Sequence, residues 1–441
     1  MKIYLKIIVL FILNIDWLYA QQSLKLSLKE AQELGLSSRL DFKSGQKEIA
    51  LLGQDIVVKK QAFAPDLKIM ANIMYHPQVQ STLIPAGFGG LAEPTILALG
   101  AKSISVFSLE IKQPLFNPAL KLDIKIAETL KSKEEEQQRK NVLSIKRQIK
   151  ESYLNVLLRQ IQKQIATYQM QRFEKYQNLV QDKYHQGAAL ENDFLRVQLD
   201  FHHKQEQYLA SQNDYELSLV NLCFELNIPA TTNLILSDSL SENPLQDVYT
   251  DDSLYLENLT VFRKLALEKT RLGLEAKKQQ QSLLPEINLI GNYSQQYLNM
   301  TFNYNYTDGK WWSPYSYLGV QMGIPITKQF TNSSQIKKIQ LKNELLDFQT
   351  LQEKNRVSFE LRKAKIELKN ALQSLRRNQQ TYFLAQKIYQ NQKHQMSIGT
   401  LSYNDLLNTE LSVGTTEHDY ISALHSYLLA RLVLDSLTEN L

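Results

Sequence analysis

The side chains able to do chemistry are few and scattered: one cysteine, Cys223, and seven histidines in 441 residues. His202-His203 and the pair His418 and His425 have no cysteine or carboxylate companions at metal-ligand spacing, so they read as surface residues of helices. No glycine-rich phosphate loop, nucleophile elbow or Ser-His-Asp grouping stands out. The expectation is a protein that is not an enzyme and carries no metal or cofactor. What recurs is a turn motif, Gly187-Ala-Ala-Leu-Glu-Asn192-Asp193-Phe-Leu195 and, later, Gly399-Thr-Leu-Ser-Tyr-Asn404-Asp405-Leu-Leu407. A carboxylate there suits the first turn of a helix, where it meets the positive end of the dipole.

The elements that carry the motif are set by where glycine and proline fall. Residues 119–186 and 328–398 contain neither, and their apolar residues recur at three-and-four spacing, as in Val142, Ile145, Ile149 and Leu154, Leu157, Ile161, Ile165. Each run predicts one helix of about 100 Å at 1.5 Å per residue, long enough to require a coiled-coil-like neighbour.

The chain is a duplication. With Pro114 placed on Pro325 and Gly187 on Gly399, the long helices superpose, and Leu199, Tyr208, Tyr215 and Leu222 meet Leu411, Tyr420, Tyr427 and Leu434. Upstream, Pro65 pairs with Pro285, and the first repeat is longer by nine residues between Pro77 and Ala101. Each repeat reads helix, Pro, strand, loop, strand, Pro, long helix, Gly turn, returning helix. The prolines Pro65, Pro114, Pro285 and Pro325 mark the strand–helix junctions.

The boundaries expected are a first repeat over 21–229 (hairpin 66–113, long helix 119–186, return helix 188–227), a linker over 230–256, and a second repeat over 257–441. The second repeat holds a hairpin over 286–325, a long helix over 328–398 and a return helix over 400–441. Each return helix is too short to climb back alone, so the helices 257–284 and 27–64 complete the columns at about 1.5 Å per residue. The linker then forms a belt at mid-height.

The strands alternate with period two. Leu67, Ile69, Ala71, Ile73 and Tyr75 share one face, as do Ile287, Leu289, Gly291, Tyr293 and Tyr297, with polar residues between them. Tyr293, Tyr297, Phe302, Tyr304, Tyr306, Trp311, Trp312, Tyr315 and Tyr317 cluster about one hairpin, as an aromatic girdle would. In the second strand of each repeat the apolar phase slips by one, at Phe107 and at Leu318, which predicts a bulge or a change of surroundings.

Residues 1–20 have Lys2 and Lys6, the apolar run Ile7 to Ile15 and Ala20 before Gln21, the layout of a secretory signal peptide. Past them no stretch reaches the roughly 18 apolar residues of a membrane-spanning helix, so membrane insertion would be by strands. A soluble periplasmic protein is the alternative. The net charge of +5 is too diffuse for nucleic acid.

The signal peptide, the two hairpin-bearing repeats, the paired prolines, the paired long helices and the Gly-x4-Asn-Asp-x-Leu turns together resemble the TolC-like outer-membrane efflux protein family, over nearly all of residues 21–441. The resemblance implies a mainly α fold with a β-barrel portion: a homotrimer in which each chain lends four strands to a twelve-stranded barrel in outer-membrane lipid, continued by a periplasmic α-helical barrel. It implies a passive exit duct of a tripartite efflux or type I secretion system, with a periplasmic adaptor and an inner-membrane transporter docking at the turns of Gly187, Asn192, Gly399 and Asn404. It further implies that Asp193 and Asp405 set ion selectivity and gating, since three chains bring six carboxylates together. Some members carry a second Asp and an Arg lock where this chain has Asn408 and Leu401; Arg196, the counterpart of Asn408, offers a different pairing. A periplasmic adaptor would show one helical hairpin between glycine-rich β-domains. A structural coiled coil would leave the duplicated strands without a purpose.

Overall fold

The structure, a computed structural model, describes residues 24–240, 256–301, 312–398, 400 and 403–440. The signal peptide, residues 241–255 of the linker, Gly399 and the aromatics Phe302, Tyr304, Tyr306 and Trp311 lie outside the described residues. In chain order the elements are β1 (Leu24–Leu26), α1 (Leu28–Ser38), α2 (Leu40–Gln61), β2 (Asp66–Tyr75), β3 (Ser81–Ile84), β4 (Thr95–Ala98), β5 (Ser103–Phe116), α3 (Pro118–His185) and α4 (Glu191–Glu225). There follow β6 (Leu234–Leu236), α5 (Thr260–Gln281), β7 (Glu286–Asn299), β8 (Trp312–Gly323), α6 (Lys328–Ser397) and α7 (Tyr403–Leu437). They group into a sheet unit, Glu48–Glu134 with Lys264–Phe348, and a helix unit, Met1–Lys47 with Glu135–Arg263 and Gln349–Leu441.

The breaker-free runs fold as unbroken helices of 68 and 70 residues, α3 and α6. The start of α3 has a local cause. The side chain of Asn117 accepts the amides of Ala119 and Leu120 at 3.1 and 3.4 Å, and Pro118, whose missing N–H costs nothing at the first helical position, follows it. The junction is therefore made by Asn117 and Pro118. Pro114, expected to mark it, lies inside β5, where the ladder with β7 breaks register between Pro114 and Phe116.

In the sheet unit the strand order is β2-β5-β7-β8, antiparallel throughout. Cross-strand rows sort the side chains onto two faces. Leu67, Ile111, Gly291 and Leu318 form one row, and Ile69, Leu109, Tyr293 and Ser316 the next; both lie on an apolar face. Lys68, Glu110, Asn292 and Tyr317 form a row on the opposite, polar face, as do Met70, Ser108, Ser294 and Tyr315. Gly291 has a reason on its row: a Cβ there would stand 2.8 Å from Ile111 Cγ2 and 3.2 Å from Leu318 Cδ1, whose side chains close over it.

These rows bear on two expectations, and for the phase slip they decide between a bulge and a change of surroundings in favour of the latter. The phase slip is not a bulge, because the ladders run without interruption past Phe107 and Leu318; Ile104 and Val106, like Tyr315 and Tyr317, simply belong to the other face. The described members of the aromatic cluster divide between the two faces. Tyr293, Tyr297 and Trp312 stand on the apolar face, the last two with ring centroids 5.1 Å apart, while Tyr315 and Tyr317 stand on the polar one.

Also in the sheet unit, α5 runs antiparallel to α3, with Lys133 paired to Glu268 at 2.7 Å and Asp123 to Lys278 at 2.5 Å. On its apolar side Leu272 packs with Ile339 and Leu346 of α6. Glu268 accepts hydrogen bonds from Arg271 and Lys133, which hold its carboxyl at about 2, well below the usual carboxylate range. Because the folded value is depressed, this contribution is fully present above about pH 4.5 and drains away as pH falls toward 2. Glu268→Gln is expected to lower the apparent unfolding temperature at neutral pH, by an amount worth about 1–2 kcal/mol. The gap between variant and wild type should close as the scan is repeated from pH 5 down to pH 2; a gap independent of pH would remove the ionised carboxylate from the account.

In the helix unit β1 and β6 pair in parallel, which ties the first described residues to the linker. Around them Ile145, Ile149, Tyr153, Leu222, Cys223 and Leu226 form a core. The hydroxyl of Tyr153 lies 3.0 Å from the carbonyl of Leu26 and 2.9 Å from Asp238, whose carboxylate also accepts the amide of Leu28 at 2.8 Å. A capping box of Ser27 and Glu30 starts α1 at this knot. A second core joins α6 to α7 through Leu375, Tyr420, Leu424 and Tyr427. The duplicated positions are thus not equally used: Tyr420 is buried at 5 % exposure, while its counterpart Tyr208 is half-buried.

Candidate functional site: the helix turns and the sheet faces

The turn after α3 is built by its glycine. Gly187 has φ +69°, and its amide donates to the Tyr184 carbonyl at 3.0 Å while that of Ala188 donates to Lys183 at 2.8 Å. This pair of bonds closes a helix end through a left-handed residue, a conformation that glycine adopts without a Cβ penalty. In the second repeat the amide of Thr400, the counterpart of Ala188, donates to the Gln395 carbonyl at 3.0 Å, as Ala188 does to Lys183.

Past each turn the acidic residues fall in the first helical turn: Glu191 and Asp193 of α4, and Asp405 of α7. Asp193 and Asp405 are each the third residue of their helix, and both are exposed. The residue that caps α4 is Leu190, which has no capping side chain, so the acidic side chains face a bare helix N-terminus and meet its dipole. Glu191 escaped the sequence reading because its counterpart is Tyr403, so the repeat alignment did not single it out. Asn192, Arg196 and Asn408 are exposed.

One apolar cluster unites the two repeats here. Tyr176 and Val180 of α3 and Val197 of α4 are buried together, with Phe194 and Leu407 packed against them, and Phe194 stacks on Tyr184 at 5.6 Å. Phe194 adjoins Asp193 in sequence and Leu407 follows Asp405 by two residues, so the two first turns are anchored on a common core. Burial raises the Tyr176 hydroxyl above its usual range, and the Asp193 and Asp200 carboxylates push the same way. The ion pair joining the repeats near the turns is Arg172 of α3 with Glu410 of α7. Sequence reading passed over it because neither residue lies in the turn motif.

No histidine, cysteine or carboxylate group among the described residues is arranged to hold a metal ion, and no described helix is long and apolar enough to cross a membrane. The surface that can meet lipid is the apolar face of the sheet, where Ile69 is 84 % exposed, Leu318 76 % and Val320 65 %. Alternation of a greasy face with a polar one, in strands of ten to fourteen residues, is the pattern of a membrane β-barrel wall. The duplicated chain carries such a sheet together with two long helix pairs, α3 with α4 and α6 with α7.

Comparison with known proteins agrees. Residues 32–227 match the model of the Outer membrane efflux protein family. The fold of the chain is that of solved channels. CusC superposes with a TM-score of 0.72 at 13 % identity, over 93 % of this chain and 91 % of that one. The Campylobacter jejuni CmeC outer membrane channel gives 0.70 at 14 %, over 93 % and 85 %. The open state of the Neisseria gonorrhoeae MtrE outer membrane channel gives 0.69 at 12 %, over 93 % and 88 %. No curated protein matches the sequence significantly. The fold is that of TolC-like outer-membrane channels.

Proposed function

We propose that three copies of the chain close into the exit duct of a tripartite efflux or type I secretion machine, passive in itself and gated at the turns after α3 and α6. The observation that carries the assembly is the sheet β2-β5-β7-β8, whose outer strands β2 and β8 each have a ladder on one side only. Four strands cannot close a barrel, and unpaired strand edges are not tolerated in hydrocarbon, so β2 of one copy pairs with β8 of the next. Exposed apolar residues on α4 (Leu217, Val220, Phe224) and α6 (Phe359, Ile366) supply matching faces for neighbouring copies.

In the trimer Asp193 and Asp405 supply six carboxylates at the periplasmic turns, a ring that attracts cations and repels anions. Arg196 and Asn408 stand one helical turn further on and modulate that field. Exposed Asn192 and the turns themselves form the surface that a periplasmic adaptor grips, with an inner-membrane transporter behind it. In planar bilayers the wild type is expected to prefer cations, and Asp193→Ala with Asp405→Ala to bring the permeability ratio close to one. Unchanged preference in the double variant would leave the carboxylates only their helix-dipole role. A chain that stays monomeric and soluble without detergent would end the trimer reading itself.

A further inference from the structure

The excess of the first repeat over the second falls in the segment that holds β3 and β4, a separate two-stranded hairpin between β2 and β5. Its composition is unlike that of a loop facing water. Of residues 77–100 only Glu93 is charged, and Leu83, Phe88, Ile96 and Leu99 are 64, 69, 70 and 59 % exposed. Nor is it a slack connection: Gly87, Gly89 and Gly90 take φ of +90, +63 and +82°, which commits the loop to a shape that other residues would strain. A lone two-stranded hairpin is marginal in water, and this one buries Ile84 but leaves Leu83, Phe88, Ile96 and Leu99 uncovered.

We infer that the β3–β4 hairpin is an inter-subunit clasp that packs on the neighbouring copy of this chain at the barrel mouth. The inference rests on the trimer proposed above. Two features select the occupant. β3 and β4 pair only with each other, so each keeps a free edge of backbone amides and carbonyls. Hydrocarbon cannot satisfy such edges, and water satisfies them but leaves Leu83, Phe88, Ile96 and Leu99 exposed; a protein surface covers both. The hairpin also begins six residues after Tyr75, the end of β2. β2 is the strand at the seam between copies, so assembly itself brings a neighbour beside the hairpin. The corresponding segment of the second repeat is nine residues shorter, and one such hairpin per chain gives a trimer three clasps, one per seam.

The test uses the single variants Leu83→Cys and Ile96→Cys in intact outer membranes, each labelled with a benzophenone maleimide and photolysed to join the hairpin to whatever protein covers it. The native Cys223 is 1 % exposed, so the wild type serves as the unreactive control. After photolysis, chains carrying either new cysteine should run as covalent dimers and trimers. Replacing residues 79–99 by a short Asn-Gly turn should keep the trimer, whose barrel seams are intact, but lower the temperature at which its gel band dissociates by roughly 5 °C or more. Full labelling of both variants by the maleimide without cross-linked products on photolysis would overturn the clasp, and so would labelling of those positions by a lipid-borne photoprobe alone. An unchanged dissociation temperature in the shortened variant would also overturn it. A wild type that is monomeric in mild detergent would instead overturn the trimer on which the clasp depends.

Discussion

Arginine at position 69 is expected to abolish stable insertion of the protein into the outer membrane, while arginine at position 292 is expected to be tolerated. Ile69 lies on the apolar face, in the row with Leu109 and Tyr293, near the middle of the sheet. A cation placed on the lipid side at mid-depth costs about 2–4 kcal/mol per chain, and a threefold assembly bears that cost three times. Asn292 lies one residue from Tyr293 and on the other face, between Glu110 and Tyr317, where an arginine meets water and a carboxylate. Extraction of membranes with urea, followed by a heat-modifiability gel, reads both variants. Equal loss of the trimer band in the two would mean that the faces are assigned wrongly.

Gly35→Val is the second large effect. Gly35 and Ala31 lie buried on α1 against α3, and a Cβ at Gly35 would come 2.2 Å from Ile149 Cδ1 and 3.5 Å from Leu226 Cδ2. Overfilling that packed core costs about 3 kcal/mol, more than the helix propensity regained by losing a glycine. Ile149→Val removes the atom that is struck, and it should recover about 1 kcal/mol in the double variant. Gly53 of α2 is the contrast, since nothing lies within 4 Å of the Cβ it lacks. Gly53→Ala is expected to raise stability by about 0.5–1 kcal/mol. Resistance of the purified trimer to heat or limited proteolysis would order the four proteins. A Gly35→Val protein as robust as the wild type would contradict the close approach of α1 to α3.

Several features were legible in the chain because their causes are local. The two long helices follow from the absence of glycine and proline over residues 119–186 and 328–398, and the observed α3 and α6 keep to those bounds within one residue. The strand pairs β2 with β5 and β7 with β8 follow from period-two alternation, and the turn at Gly187 from the need for a left-handed residue. Asp193 and Asp405 were visible as candidates because the duplication repeats them at the same distance from a glycine. Readings stayed open where one strand's pattern could not say which face its neighbour uses. For Ile104 and Val106 the pattern left a bulge and a change of face both open until the ladder with β2 placed them opposite Met74 and Asn72.

The long-range pairings carried no local mark. That β5 joins β7 across some 180 intervening residues to make one sheet of both repeats, that Arg172 reaches Glu410, and that Tyr153 ties Leu26 to Asp238 all depend on which surfaces meet once the helices are formed. By itself, then, the sequence determined the elements, their duplication and their amphipathic faces, since these come from backbone sterics and the side-chain periodicity of helix and strand. Only the tertiary structure decided the strand order, the partners of the charged groups and the unequal burial of equivalent positions such as Tyr208 and Tyr420. Those depend on contacts between residues far apart in the chain, and two copies of one motif in a single polypeptide cannot occupy identical surroundings.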